Sequence, residues 1–438
     1  MSERGPAERP VSWQVCARCG KELPASSPRS QCPGCGGLLE VRHRPPSPHG
    51  SPAKLREIFA ARRGGSGPLD ASGVWRYREL VLPDAREEDV VTYPEGNTPL
   101  LSRGAVSRWA GVESLLLKHE GMNPTGSFKD RGMTVGMTQA RRIGARAVAC
   151  ASTGNTSASL AAYAATAGLP ALVFVPAGQV ALGKLAQTLA YGAKTLLVRG
   201  DFDACFALVR EAAEKLNVYL LNSINPFRIE GQKTIVLETL EQLSYEPPDW
   251  IALPAGNLGN TSAFGKALRE ACELGLIAKL PRLACIQAEG ANPFARAFRE
   301  GFTRPHRVKA ETVATAIKIG DPASLDRAIA ALRLTDGVVT DVSDHEILEA
   351  KAVVDASGAG CEPASAASVA GVRKLVAEGV IRPGQRVVAV LTGHILKDPG
   401  LLLRYHQETD PPPSRANRPI EIDANLSAVE EVLGASRS

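Results

Sequence analysis

Lys129 stands in the run Asn123-Pro124-Thr125-Gly126-Ser127-Phe128-Lys129-Asp130-Arg131, between a short apolar stretch at 115–117 and a helical pattern. A lone lysine is usually a solvated surface amine. This one opens a helix, where the positive end of the helix dipole and the neighbouring Arg131 disfavour its protonated form, and a neutral amine is a nucleophile. Four more polar turns follow apolar runs: Ser152-Thr153-Gly154-Asn155, Asn222-Ser223-Ile224-Asn225-Pro226-Phe227-Arg228, Gly256-Asn257-Leu258-Gly259-Asn260 and Thr392-Gly393-His394. Each has an ordinary reading, since Ser, Thr and Asn cap helices and Gly fits tight turns. Yet the glycines of 256–260, at a helix start, also make a nest of free backbone N–H groups suited to a phosphate. An amine nucleophile, a phosphate nest, and Ser, Thr and Asn able to hold an aromatic ring and a carboxylate together match pyridoxal phosphate.

Such groups need a scaffold that gathers them. Apolar runs read as strands at 146–152, 171–176, 194–199, 218–222, 250–254, 283–288 and 386–391. They alternate with helical patterns at 155–167, 183–191, 202–216 and 231–243. That text predicts an α/β fold with parallel sheet and helices on both faces. Ligands bind such folds beyond the carboxyl ends of the strands, where the polar turns fall. Proline-rich stretches at 43–53 and near 410 mark breaks, and one further helix is expected at 427–433.

The first 45 residues carry a different chemistry. Cys16 and Cys19 form one C-x-x-C knuckle, and Cys32 and Cys35, after twelve intervening residues, form a second. Two such knuckles complete a tetrahedral zinc site with no open position, so the expected zinc is structural and catalysis lies elsewhere. An arm with few apolar residues would take its missing folding free energy from the ion, on the order of 10 kcal/mol. A redox dithiol is the alternative. Cys150, Cys205, Cys272, Cys285 and Cys361 are scattered singly and read as small buried hydrophobes.

Charge divides in the same way. Of the net +5, residues 1–65 hold eleven Lys or Arg against five Asp or Glu, which leaves the other 373 residues at −1. Any polyanion affinity would therefore belong to the arm. A chain 44% hydrophobic and 22% charged excludes wholesale disorder. No apolar run reaches the ~18 residues of a membrane helix, and the charged start is unlike a signal peptide, so a cytoplasmic protein without a membrane partner is expected.

With these motifs in order, the sequence resembles the threonine synthase family of fold type II, tryptophan synthase β-like, pyridoxal-phosphate enzymes. The likeness runs from Gly96-Asn97-Thr98-Pro99-Leu100 to Lys397-Asp398-Pro399. The arm is similar to zinc ribbons found on some members. The resemblance implies two parallel-sheet lobes, and a carbon–oxygen lyase converting O-phospho-L-homoserine and water to L-threonine and phosphate. By the same likeness Lys129 carries the cofactor and shuttles protons, Asn155 bonds the ring 3′-oxygen and Thr392 the pyridine nitrogen. Gly256, Asn257, Leu258, Gly259 and Asn260 would hold the cofactor phosphate. Ser152 and Thr153 would lie near the substrate carboxylate. Ser223 and Arg228 would hold the leaving phosphate, for which a guanidinium gives bidentate, charge-assisted bonds. The domain reading is a zinc arm at 1–45, a linker and extension at 46–95, a catalytic region at 96–410 and a tail at 411–438, with a homodimer as the expected assembly.

Rival readings are explicit. A serine or threonine dehydratase would share Lys129, Asn155 and the phosphate loop but has no use for Arg228, whereas a phosphoserine β-replacement enzyme could use it. A zinc-ribbon nucleic-acid-binding protein draws on Arg18, Lys21, Arg29, Arg42 and Arg44. Against it, Trp13 is the one aromatic residue before position 59, so stacking surface is scarce and no nucleic-acid partner is expected. A nicotinamide-dependent dehydrogenase lacks its G-x-G-x-x-G fingerprint at 256–260.

Overall fold

The computed structural model describes residues 11–44, 51–178, 185–200 and 202–435. They group into two units, the first ending at Lys397 and the second starting at Asp398. In the first unit β1 (Ser12–Cys16), β2 (Glu22–Pro24) and β3 (Leu39–His43) form a small antiparallel sheet in the order β2-β1-β3. After it come β4 (Leu100–Ser102) and β5 (Ser114–His119), then β6 (Ala147–Ala151), β7 (Ala171–Pro176), β8 (Lys194–Val198) and β9 (Val218–Leu220). The last four are β10 (Trp250–Pro254), β11 (Arg282–Ala288), β12 (Val338–Val342) and β13 (Arg386–Leu391). Two further sheets result: a parallel one in the order β8-β7-β6-β9, and a six-stranded one in the order β12-β11-β10-β13-β5-β4, parallel except at β4. The expected α/β architecture in two parallel-sheet lobes is what the chain adopts.

Side-chain alternation builds the layers. In β10, Ile251 and Leu253 enter one core and Trp250 and Ala252 the other, so the large sheet is buried on both faces. In β6, Ala147, Ala149 and Ala151 face one core, and Val148 and Cys150 the opposite one.

Some expectations change. β12 was not anticipated. The helix expected at 231–243 is two helices, Pro226–Gln232 and Thr234–Gln242, and the first is opened by Asn225, whose side chain accepts from the amides of Phe227 and Arg228. Of the helix expected at 183–191, the first residues lie outside the described ones and the rest is Ala186–Ala190. Residues 51–95 are more than a connection, because Leu55, Phe59, Trp75, Tyr77 and Leu80 belong to the same core as β10 and β11. Of the five scattered cysteines, Cys272 is exposed and not a packing residue; the other four are buried. The tail helix spans Leu426–Ala435.

One packing detail matters for the site. The helix Lys129–Arg142 crosses Pro226–Gln232 so closely that a Cβ on Gly231 would fall 1.7 Å from the Arg131 carbonyl oxygen. On the other side, a Cβ on Gly132 would fall 2.9 Å from that of Arg228. Only glycine permits this approach, and it sets Lys129 and Arg228 on adjoining surfaces.

Candidate active site

Lys129 is the first residue of its helix. The loop before it is pinned to the turn after β13: the Phe128 amide donates to the Thr392 carbonyl at 3.0 Å, and the His394 amide to the Gly126 carbonyl at 2.9 Å. Two turns far apart in sequence, at 126–128 and 392–394, thus meet, as parallel strands with a common carboxyl edge require. The Lys129 amine lies 3.7 Å from the Phe128 ring centroid, and among the described residues no hydrogen bond or ion pair reaches it. Protein surrounds it on most sides. That burial, reinforced by Arg228 and opposed by Glu362, lowers its pKa to about 7. The cation responsible is not Arg131, as the sequence suggested. Arg131 turns away into Glu120 and Glu238, each at 2.7 Å, and is neutralised there.

Glu362 was not anticipated. It precedes the helix Pro363–Ala377 and is buried, and its carboxylate accepts from Asn155 Nδ2 at 2.9 Å and from Thr392 Oγ1 at 3.2 Å. Thr392 also lies 2.9 Å from Ser365 Oγ. Burial raises the Glu362 pKa, offset in part by the Asn155 bond and by the nearby Lys129 charge. The only sequence signal was an acidic residue ahead of the small-residue run Pro363-Ala364-Ser365-Ala366-Ala367-Ser368, and it follows no strand end.

The loop after β10 forms the anion cradle. The helix Gly259–Glu273 starts from Leu258, which has left-handed φ 62° and supplies no side-chain cap, so the first amides remain available for an anion. A Cβ on Gly256 would come 3.0 Å from Ile317 Cα, which explains a glycine there. Asn260 is buried and its Oδ1 has no partner among the described residues. The Asn257 side chain is engaged, donating to Ser223 Oγ at 2.6 Å and accepting from the Ala323 amide at 2.7 Å, which leaves its backbone to the cradle. Arg228 is fully buried; Nη1 donates to the Leu221 carbonyl at 3.0 Å, while Nε and Nη2 have no partner among the described residues. Burial lowers its pKa to about 10, still charged at neutral pH.

Ser152 and Thr153 are half-buried ahead of the helix Asn155–Ala167, whose N-cap, Gly154, offers no side-chain bond. Ser152 Oγ accepts from the Gly154 amide at 3.3 Å. Asp130, buried, holds the Lys129 turn through the Thr125 amide and hydroxyl and Ser159, and burial lifts its pKa to about 6.

The residues fit pyridoxal phosphate on their own chemistry: an amine whose pKa is lowered to about 7, an uncapped helix start whose first amides can donate to a phosphate, and a hydroxyl and a carboxamide tied to one buried carboxylate. In the arm, the sulfurs of Cys16, Cys19, Cys32 and Cys35 lie within 4.8 Å of one another. Tetrahedral zinc with bonds of about 2.3 Å would space them about 3.8 Å apart. Among the described residues no helix is long and apolar enough to cross a membrane.

Comparison with known proteins agrees. The family described as pyridoxal-phosphate dependent enzyme matches residues 91–393. Threonine synthase of Methanosarcina acetivorans is 46% identical, over 95% of this chain and 98% of its own. That of Methanocaldococcus jannaschii is 43% identical, over 96% and 99%. Among solved structures, threonine synthase from Escherichia coli superposes with a TM-score of 0.66 at 18% identity, covering 97% of this chain and all of the other. Threonine deaminase isoform 2 from Solanum lycopersicum gives 0.62 at 20% identity, over 75% and 91%. These two likenesses concern the fold.

Proposed function

The chain belongs to the threonine synthase family of pyridoxal-phosphate-dependent enzymes, and from that membership we propose that it converts O-phospho-L-homoserine and water to L-threonine and phosphate. The observation that carries the choice of a phosphorylated substrate is Arg228. A guanidinium held out of water with two unpaired nitrogens costs several kcal/mol unless an anion completes it. A dehydratase acting on free threonine would bring only its carboxylate, which in this reading Ser152, Thr153 and the open helix start at Asn155 take.

In this reading Lys129 is the attachment point, and Gly256, Asn257, Leu258, Gly259 and Asn260 hold the cofactor phosphate. The bound cofactor supplies an electron sink for negative charge developing at substrate carbons. Lys129, half-neutral near pH 7, takes a proton from the substrate β-carbon as the γ-carbon–oxygen bond breaks and returns one at the γ-carbon; water then adds its hydroxyl at the β-carbon, and its proton balances the released phosphate. Arg228 and Ser223 take the phosphate as it leaves, with Asn257 fixing Ser223. Ser152, Thr153 and the open helix start at Asn155 face the substrate carboxylate. Glu362, accepting from both Asn155 and Thr392, orients the carboxamide toward the ring 3′-oxygen and the hydroxyl toward the pyridine nitrogen. The four-cysteine arm holds structural zinc; the balanced charge of the body supports the absence of a nucleic-acid partner, and a cytoplasmic homodimer completes the reading.

Lys129→Ala tests it. We expect the visible absorbance of the bound cofactor to vanish and phosphate release to fall by at least about three orders of magnitude. A variant that keeps both would overturn the assignment.

A further inference from the structure

The arm's four cysteines take no part in the proposed chemistry, yet its sheet bonds residues next to those that do: Glu230, Lys266 and Arg327. We propose that the ribbon positions the substrate-phosphate site, by holding from outside the helix that carries Arg228 and the segment that fixes Asn257. The proposal rests on the reading of Arg228 and Ser223 as phosphate ligands.

Two struts make the connection. In the first, His43, the last residue of β3, places Nε2 3.2 Å from Glu230 Oε2. Glu230 lies two residues beyond Arg228 on the same seven-residue helix and is fully buried. Its carboxylate also takes Lys233 Nζ at 2.6 Å and a close bond from Lys266. Lys266 in turn donates to the Val41 carbonyl of β3 at 2.5 Å, and Lys233 reaches Glu270 at 2.7 Å. A buried carboxylate with this many partners has one orientation, and loss of a partner leaves charge unmatched in a dry interior.

The second strut runs from the Leu39 carbonyl, which accepts from Arg327 Nη1 at 3.3 Å. Arg327 Nη2 holds Ser324 Oγ at 3.0 Å, next to the Ala323 amide that donates to Asn257. Asn257 then holds Ser223. The ribbon thus reaches Arg228 through its helix neighbour Glu230, and Ser223 through Arg327, the Ala323–Ser324 segment and Asn257. A contact to the Lys129 helix, Gln139 Nε2 to the Ala25 carbonyl at 2.8 Å, adds a third point of attachment.

The thiolates sit at the origin of the second strut, and the first starts further along the same strand, where His43 pairs with Ser12 and Val41 with Gln14. Cys16 ends β1 and pairs in register with Leu39, the first residue of β3. Among the described residues the ribbon's own apolar cluster is Cys16, Cys32 and Leu39, edged by Leu23 and Cys35, while Val41 of β3 joins the main core, so the ion's part is to fix the Cys16–Leu39 end of the strand.

The test uses the full-length, cofactor-loaded protein and compares wild type with His43→Leu, His43→Gln, Arg327→Met and Cys19→Ser/Cys32→Ser. Readouts are KM for O-phospho-L-homoserine, inhibition by inorganic phosphate, kcat, cofactor absorbance and bound zinc. We expect His43→Leu and Arg327→Met to raise KM and the phosphate inhibition constant together by about 5- to 10-fold. In both, kcat, absorbance and zinc content should stay near wild type, and His43→Gln should recover most of the loss. The cysteine variant, or wild type stripped of zinc by a chelator should that variant not fold, should show the same split. Folded His43→Leu and Arg327→Met with an unmoved phosphate constant would overturn the proposal. Arg228→Met separates the two claims: if it weakens phosphate while the ribbon variants do not, only the ribbon's role falls. If Arg228→Met changes nothing, the reading of the site falls with it.

Discussion

Arg131 and Arg228 are both fully buried and sit on helices that cross at Gly132 and Gly231. Their surroundings are opposite. Arg131 lies between Glu120 and Glu238, and Glu238 also takes Lys118 at 2.6 Å and the amides of Asn97 and Thr98. Every charge in that network has a partner within the fold. Arg228 has one backbone carbonyl and, among the described residues, two unpaired nitrogens, and its charge bears on the Lys129 amine. The first arrangement is complete without a ligand and the second is not, so burial alone does not mark a functional cation; the missing partner does.

Substitution should separate them. Arg131→Met leaves buried Glu120 without its bonded cation and takes one of several from Glu238, and should cost about 3–5 kcal/mol in denaturant unfolding; a change under 1 kcal/mol would erase the contrast. Arg228→Met removes an unmatched charge, so stability should hold or rise, while KM for O-phospho-L-homoserine climbs about 10- to 100-fold, the worth of charge-assisted bonds.

The pH dependence sharpens the same point. Lys129 is neutral above its pKa of about 7 and charged below it, so reloading of the apoenzyme with pyridoxal phosphate should slow as pH falls through 7. Arg228 depresses that pKa, and Arg228→Met should move the midpoint upward by about 0.5–1. Glu362 supports the charged amine, so Glu362→Gln should move it down by less. Equal midpoints in all three proteins would show that neither group faces the amine. Smallest of all, Ser223→Ala should raise KM about 2- to 5-fold with kcat unchanged, a single neutral hydrogen bond being worth about 0.5–1 kcal/mol.

The sequence made part of this legible for physical reasons. Strands such as β7, β10 and β13 are apolar runs closed by turn residues, and a parallel sheet puts its turns on one edge, so Lys129, Asn257 and Thr392 could be gathered without coordinates; that Asn155 follows a strand of a second sheet, rather than sharing the same one, was not legible. Arg228 was legible by its chemistry, as the bidentate group nearest a turn. What stayed hidden depends on contacts far apart in sequence. Glu362 follows no strand, and its role exists only where Asn155 and Thr392 converge. The neutralisation of Arg131 needs Glu120 and Glu238, the second more than 100 residues away. β12 escaped because Thr340 and Asp341 interrupt its Val-rich run. The core role of residues 51–95 was masked by Lys54, Arg56, Arg62 and Arg63 around Leu55 and Phe59. His43 and Glu230 meet across 187 residues, and no local pattern announces such a pair.

The most direct measurement compares inorganic phosphate release from O-phospho-L-homoserine, O-phosphoserine, threonine and serine under one set of conditions. The account predicts phosphate and L-threonine in equal amounts from the first and little turnover of the others. Ammonia and a 2-oxo acid from threonine or serine, with phosphohomoserine left intact, would contradict it.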